Sequence, residues 1–371
     1  MKKLKVCHIT SAHPDGDVRI FHKECVSLAE EGYDVSLVIP NTESRIERGV
    51  KIVSFIYEPS SRLSRFTKSV NLAYKKALEV NADIYHLHDP ELLRIALKLK
   101  KKGKKVIFDA HEDLPKQILS KKYINKYLRK LVSITIEKYE KRVTSKLDAV
   151  VTATPFIRDK FLQYNKNSID INNFPLSREI LIDEKQESNP KESNICYIGG
   201  ITEIRGIKEL INALEYAPKI TLKLAGAFSP ASFKDVISKA KGWNQVDELG
   251  FIDRNESLAL KNNSIAGLVT FYPEQNHINA QPNKIFEYMA SSLPVIGSRF
   301  PFWEEIITKN NAGLCVDPMN PIEIGEAINY ILNNPKEAKI MGENGRKMVI
   351  EKYNWDIEKK KLIELYKDLL K

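Results

Sequence analysis

Short apolar runs alternate along the chain with longer stretches whose apolar positions recur every third or fourth residue. In the first half, strands are predicted at Leu4 to Thr10, Val35 to Ile39, Val50 to Ile56, Ile84 to Leu87, Lys105 to Phe108 and Ala149 to Thr152. Helical spacing fills the intervals, as in Val18 to Glu31 and Leu92 to Lys101. Such alternation predicts an α/β protein with a doubly wound parallel sheet. Asn172-Asn173-Phe174-Pro175 ends this pattern, and the polar run Asp183 to Ser193 has no apolar period. The pattern then resumes through Ile195, Leu222, Val246, Ile265, Pro294 and Gly313. The expectation is two Rossmann-like domains facing a cleft, at 1–173 and 194–345, joined by a linker at 174–193 and followed by a helical segment at 346–371.

Bulk properties fit that division. A chain of 371 residues is long enough for two domains that each bury a core, so no disulfide or metal staple is required. Cys7, Cys25, Cys196 and Cys315 are widely spaced, and Cys7 and Cys196 fall in apolar strand patterns, which predicts buried free thiols in a reducing compartment. The first apolar run is interrupted by Lys5 and His8, too short for a leader, and no later run suits a bilayer span; a cytoplasmic protein is expected. Net charge is +10, and Lys98 to Lys146 holds 16 Lys and Arg against 5 Asp and Glu, so the excess is local. Within it, Lys121 to Val143 reads as one helix with Ile124, Leu128, Leu131 and Thr135 on one face and Lys122, Lys126, Arg129 and Lys130 around the other. Arg62 to Lys68 repeats the character on a smaller scale. Both suit peripheral attachment to the anionic inner face of a cell membrane. A solvated helix face is the alternative. Nucleic acid is not expected as a partner, because no recognised binding motif accompanies the charge.

The segment Asn279 to Ala290, closed by Leu293-Pro294, carries the strongest chemical signal. Pro282 is suited to a helix start, which puts Lys284 in the first turn, where the helix dipole and unpaired N–H groups already concentrate positive charge. A bound diphosphate resolves that conflict. Glu287, one turn on, can accept hydrogen bonds from a ribose diol. An ordinary Lys284–Glu287 surface pair is the alternative. Gly199-Gly200 offers a second such place: it follows the buried strand at Ile195, and Arg205 and Lys208 sit just before and in the first turn of the next helix, Ile207 to Leu214.

With these residues in view, the chain resembles the retaining family 4 glycosyltransferases of the GT-B fold, over nearly its whole length. The family signature places two glutamates eight positions apart around a donor loop. The later one matches Glu287 and implies a ribose ligand; the earlier, a donor-sugar contact, falls on Asn279. The family's loop glycine falls on Pro282, so backbone donors to the diphosphate must come from Asn283, Lys284, Ile285 or their neighbours. Its phosphate-binding arginine falls on Gly200 and its lysine on Arg205, with Lys208 available as the second cation. Tyr353-Asn354-Trp355 and Ile357 to Leu370 resemble the family's last helix, which implies a return to the first domain.

In the first half, polar residues cluster after predicted strands, where open α/β sheets bind ligands. Ser11 to Arg19 occupies the place of the family's glycine-rich loop; only Gly16 remains of it, and Asp17 is either an acceptor-side residue or a helix cap. His88-Asp89 and Asp109 to Asp113 follow later strands. His111 matches a histidine that in the family faces the donor sugar, and His88 and Glu112 are candidates for the acceptor or sugar side. No metal is expected, since the histidines at 86, 88 and 111 lack helical ligand spacing. The resemblance implies transfer of a sugar from a nucleoside diphosphate sugar, a UDP-sugar ahead of a GDP-sugar, to a hydroxyl of a lipid-linked or oligosaccharide acceptor in surface polysaccharide biosynthesis. Retention, a front-face mechanism and no cofactor are implied with it, and His111 and Asn279 stand nearest the reacting centre. A nucleotide-sugar epimerase, a sugar phosphorylase and a non-catalytic basic binding module remain open alternatives.

Overall fold

The structure is a computed structural model and describes residues 3–58, 65–120, 124–177, 180 and 193–371. The linker at 183–192, Arg62 to Ser64 and Lys121–Lys122 lie outside the described residues, as do the side chains of Arg65 and Lys126. The chain forms two compact units, Met1–Asn173 with Trp355–Lys371, and Phe174–Asn354.

The first unit is built on β1 (Lys5–Ile9), β2 (Asp34–Pro40), β3 (Arg45–Glu47), β4 (Val50–Phe55), β5 (Ile84–Leu87), β6 (Lys105–Ala110), β7 (Ala149–Thr152) and β8 (Ser168–Asp170). Their order in the sheet is β3-β4-β2-β1-β5-β6-β7-β8, parallel except for the antiparallel edge pair β3–β4. Buried on both faces, the central strands are nearly continuous apolar runs, as parallel sheets require. β1 is central and registers His8 opposite His86 of β5. The helix after β1 starts at Val18–Cys25 as a π-helix and continues at Val26–Glu30. Its wider winding occurs where Arg19 and Glu24 point into the core, in keeping with the tendency of π segments to mark special sites. The basic helix spans Lys126–Thr144, and Asn125 caps it by accepting the Tyr127 N–H at 3.0 Å. Leu114–Ser120 forms a separate helix, and the basic helix expected to begin at Lys121 begins only after its Asn125 cap.

The last helix, Trp355–Asp368, belongs to this first unit. Trp355 donates its indole N–H to Ser27 Oγ at 2.9 Å, Glu358 accepts the Asn172 N–H at 2.7 Å, and Tyr366 is fully buried. Residues 346–354 stay with the second unit, where helix Pro335–Glu351 ends and Tyr353 packs on Phe174 and Phe286.

The second unit contains β9 (Asn194–Ile198), β10 (Thr221–Ala225), β11 (Val246–Gly250), β12 (Ala266–Val269), β13 (Val295–Ser298) and β14 (Gly313–Val316), in the all-parallel order β11-β10-β9-β12-β13-β14. Helix Asn283–Ala290 packs on β12, and the ring of its Tyr288 fills the space that a Cβ at Gly267 would need, 2.4 Å away. Tyr288 Oη also accepts the Ile198 N–H at 3.1 Å, which ties this helix to the end of β9.

Candidate functional site

In the second unit the cations converge where β9 ends. Gly199 has φ +135° there, a conformation open to glycine. A Cβ on it would lie 2.4 Å from Lys284 Nζ, so the lysine crosses directly over the Gly199 backbone. Arg205 Nη1 donates to the Gly200 carbonyl at 3.0 Å, and the guanidinium lies 5.5 Å from the centre of the Phe271 ring. Gly206, at φ +70°, lets the chain pass against the Thr270 carbonyl, which a Cβ would meet at 1.9 Å. The turn is thereby fixed just ahead of helix Ile207–Ala213. Neither Arg205 nor Lys284 has a carboxylate within ion-pair distance among the described residues. Lys284 sits 5.7 Å from the Tyr197 ring centre, and its pKa is lowered from 10.5 to about 8, first by burial and then by Arg205, with Glu287 opposing. Two close cations, neither in an ion pair among the described residues, thus concentrate positive charge at this turn.

Helix Asn283–Ala290 presents its N-terminus at this place. Pro282 occupies the cap and supplies no side-chain hydrogen bond, and the Ile285 N–H is taken by the Pro282 carbonyl at 3.1 Å. The N–H groups of Asn283 and Lys284 have no protein acceptor among the described residues, which leaves them for a ligand. Ile285 itself is fully buried and contributes packing. Glu287 is half-buried one turn on. The approach loop that carries Asn279 is held by the Trp303 indole N–H on the Ala280 carbonyl at 2.8 Å and by His277, which donates to the Tyr272 carbonyl at 3.1 Å. His277 and Trp303 both pack on Phe271, the ring under Arg205. Lys208 is not part of this cluster. It is exposed on the next helix and lines a surface groove of about 470 Å³ with Asn212, Glu215 and Lys239, because it projects away from the Gly199 turn.

In the first unit, the ends of the adjacent strands β1, β5 and β6 bring together His13, Asp17, Asp89, Asp109 and His111. Asp109 is fully buried and receives two N–H groups of Arg19, at 2.9 and 2.8 Å. Burial alone would raise its pKa, but Arg19 and His111 hold it well below the ordinary carboxylate range. His111 Nε2 donates to Asp109 at 2.9 Å, which fixes the orientation of the ring and leaves Nδ1 as its other polar atom. His13 packs edge-on to His111 at 5.0 Å and contacts Asp17 at 3.1 Å. Burial opposes a charge on His13, but the Asp17 hydrogen bond and the nearby Asp89 and Asp109 carboxylates outweigh it and raise its pKa. Asp17 also caps the following helix through the Ile20 N–H at 2.9 Å, the helix-cap reading of this residue. Gly16, at φ +73°, makes the turn before it.

Two expectations for this unit change. His88 was placed on the acceptor side, yet it is 1% exposed, beneath His111, with Asp109 at 3.2 Å and His8 at 2.8 Å. A side chain buried in the core just past the end of β5 cannot meet a substrate there. Glu112 is exposed and held by the Gln117 amide, whereas the next carboxylate, Asp113, pairs with Lys160. His13 is the accessible residue that sequence reasoning passed over.

Comparison with known proteins gives this arrangement its context. The family described as "Glycosyltransferase Family 4" matches residues 15–171, and that described as "Glycosyl transferases group 1" matches residues 179–348. Between them they account for both units. The chain belongs to the family 4 glycosyltransferases of the GT-B fold.

An uncharacterized glycosyltransferase of Methanocaldococcus jannaschii is 28% identical to this glycosyltransferase over 183 residues, 47% of this chain and 45% of the relative. The capsular polysaccharide biosynthesis glycosyltransferase CapM of Staphylococcus aureus is 23% identical over 254 residues, 65% of this chain and 62% of CapM. Both matches thus span less than two thirds of the relative. Among solved structures, sucrose-phosphate synthase of Thermosynechococcus elongatus has a TM-score of 0.77 at 18% identity, covering 99% of each chain. Anabaena HepE in complex with UDP has a TM-score of 0.70 at 15% identity, covering 99% of this chain and 100% of HepE. At these identities the likeness establishes the shared fold. The family match sets aside a purely non-catalytic binding module.

The basic helix of this glycosyltransferase has an unexpected surface. Ser133, Glu140, Val143 and Thr144 face inward, with Ser133 Oγ on the Pro115 carbonyl at 2.8 Å. Tyr127, Leu128, Leu131 and Ile134 are 89%, 53%, 63% and 40% exposed, so the apolar stripe is turned to solvent. Arg129, expected on the basic face, instead donates to the Ile124 carbonyl at 2.8 Å. Lys130 is exposed beside the stripe. Among the described residues no helix is long and apolar enough to cross a membrane.

Proposed function

We propose that this glycosyltransferase moves a hexose from a nucleoside diphosphate sugar, a UDP-sugar ahead of a GDP-sugar, to a hydroxyl of a lipid-linked acceptor in surface polysaccharide biosynthesis, with retention at the anomeric carbon. The observation that carries the reading is the pair Lys284 and Arg205 at the Gly199–Gly200 turn, without carboxylate partners and beside the N-terminus of helix Asn283–Ala290. Departure of the nucleoside diphosphate builds negative charge on its bridging oxygen, and fixed cations and N–H dipoles there stabilise the transition state more than the ground state. On this reading the diphosphate needs no divalent ion. Glu287 accepts the ribose hydroxyls, Asn279 contacts the donor sugar, and the leaving phosphate accepts the acceptor's proton. His111, held by Asp109, orients a sugar hydroxyl through Nδ1.

The naming of CapM for capsular polysaccharide biosynthesis and of HepE as a complex with UDP supports the donor class and the pathway type. The solvent-facing Tyr127, Leu128 and Leu131 next to Lys130 support work at the inner face of the cell membrane, where the apolar stripe would enter the headgroup region. The test is a thermal-shift and turnover panel of UDP- and GDP-sugars with a polyprenyl-diphosphate-linked sugar as acceptor. One nucleotide series is expected to raise the melting temperature and to yield a glycosylated lipid whose new anomeric bond has the donor's configuration. Release of a modified nucleotide sugar without acceptor would instead establish an epimerase, and an inverted product would remove retention.

A further inference from the structure

Beneath the His111 site, in the core of the first unit, lies a second cluster that transfer chemistry does not use. His8 of β1, His86 of β5, His88 just past the end of β5, and Glu24 of the π-helical turn are 0%, 0%, 1% and 0% exposed. The strand pairing that sets His8 opposite His86 puts both on one face of the sheet, and His88, two residues on, faces the same way. Sequence reasoning discounted a metal because the histidines at 86, 88 and 111 lack helical ligand spacing; the fold brings His8 and Glu24 to His86 and His88 without it.

We propose that His8, Glu24, His86 and His88 form a closed four-coordinate site for a divalent transition-metal ion of the zinc class. Glu24 Oε2 lies 3.9 Å from His8 Nδ1, 3.8 Å from His86 Nδ1 and 3.9 Å from His88 Nε2, and His8 Nδ1 lies 2.8 Å from His88 Nε2. Tetrahedral zinc with bonds of about 2.0–2.1 Å sets its ligand atoms about 3.3–3.5 Å apart, so binding would draw Glu24 in and open the His8–His88 contact, each by roughly half an ångström. Three imidazoles and one carboxylate are donors that zinc and its neighbours favour. Outer partners are also in place. His88 Nδ1 faces Asp109 at 3.2 Å, a carboxylate–histidine pairing that fixes the ligating nitrogen as Nε2. With Nδ1 of His8 on the ion, its Nε2 carries the proton and donates to Tyr366 Oη at 3.3 Å. That ion would displace the Tyr366 hydroxyl from His86 Nδ1, now 2.9 Å away.

An independent observation points to a missing cation. Both carboxylate oxygens of Glu24, the group that faces all three imidazoles, are buried without a hydrogen-bond partner. Glu24 and Asp109 are both fully buried, and the one guanidinium beside them, Arg19, is shared between the two, at 3.2 and 2.8 Å. With neutral imidazoles one negative charge is left over in the core, a costly state unless a proton or a metal ion neutralises it. An ion there would staple β1, β5 and the π-helical turn together under Asp109 and His111. Its role is to position them, separate from the metal-free diphosphate site of the second unit.

The experiment is metal analysis of tag-free protein, purified and dialysed against EDTA, and again after unfolding and refolding with Zn²⁺ or Co²⁺. About one ion per chain is expected, with Co²⁺ giving the intense visible bands of four-coordinate Co(II) and a higher melting temperature than the metal-free refolded chain. X-ray absorption of the zinc form should show three imidazoles. Glu24→Gln and His86→Gln should retain less than about a tenth of the ion. Should these variants fail to fold, the absorption and Co(II) spectra of the parent decide alone. Fewer than about 0.1 ions per chain in every preparation of the folded parent would overturn the proposal, leaving a protonated Glu24 as the neutralising device. Folded variants that keep the full metal content would overturn it equally.

Discussion

Lys284 provides the sharpest quantitative test of the diphosphate site. Burial and the neighbouring Arg205 lower its pKa from 10.5 to about 8, so near neutral pH the free protein already holds a lysine close to losing its proton. The shift withholds on the order of 3 kcal/mol from the charged form. A diphosphate beside Nζ supplies the missing counter-charge and returns the pKa toward its ordinary value. The sign follows: the bound state holds more protons than the free state between these two pKa values, so binding takes up protons and weakens as pH rises through 8. With a free pKa of 8 and a bound pKa above 10, uptake by this group is about 0.1 proton at pH 7, 0.5 at pH 8 and 0.9 at pH 9. The dissociation constant for the nucleoside diphosphate then rises about ten-fold from pH 7 to pH 9. Calorimetric titrations in buffers of different ionisation enthalpy read the uptake directly, and the window lies above the pKa of about 6 for the ligand's own last phosphate proton. Lys284→Met should bind more weakly with a flat pH profile, and Arg205→Ala should shift the parent profile to higher pH. No uptake at pH 9, together with a dissociation constant unchanged from pH 7, would refute the placement of Lys284 on the diphosphate.

Other residues of the account give separable outcomes. Glu287→Ala should weaken nucleoside diphosphate binding by about 1–3 kcal/mol without loss of fold, as read by calorimetry and circular dichroism; unchanged affinity would remove it from the ribose. Arg205→Ala should reduce kcat by a larger factor than it reduces nucleotide affinity, because its charge counts most as the leaving group departs. Equal values for mutant and parent would make Arg205 a structural brace for Gly200. Replacing Tyr127, Leu128 and Leu131 with Ser should release the protein from vesicles containing anionic lipid while transfer to a soluble acceptor analogue persists. Each buried apolar side chain is worth about 1.5–3 kcal/mol, so the loss of binding should exceed ten-fold. If the triple variant sediments with vesicles as the parent does, the stripe has another purpose.

The sequence carried much of this fold because both sheets are mainly parallel and their central strands are buried on two faces, which writes those strands as nearly continuous apolar runs. β3 and β8 escaped notice for the opposite reason: Arg45–Glu47 and Ser168–Asp170 are three residues each and largely polar. In the second unit the proposed donor cluster was readable since its parts are local, a glycine turn or a helix start, and each position follows from its neighbours in sequence. The first unit was harder. His13, Asp109 and Arg19 meet through contacts across 90 residues or more, and the burial of His88 depends on which face of β5 the sheet presents to the π-helical turn. Lys208 and Arg129 were misassigned in role by counting charges along a helix, where the direction of each side chain decides its partners.

The measurement closest to the central claim is the affinity difference between a nucleoside diphosphate and its monophosphate, taken in EDTA with whichever of the uridine or guanosine series stabilises the protein. The account predicts that the diphosphate binds at least about 100-fold tighter in the parent, the worth of two charge-assisted contacts at about 1.5–3 kcal/mol each, and that the preference collapses in the Arg205→Ala, Lys284→Met double variant. A diphosphate that binds no better than the monophosphate, or gains its advantage only when magnesium or manganese is added, would contradict it.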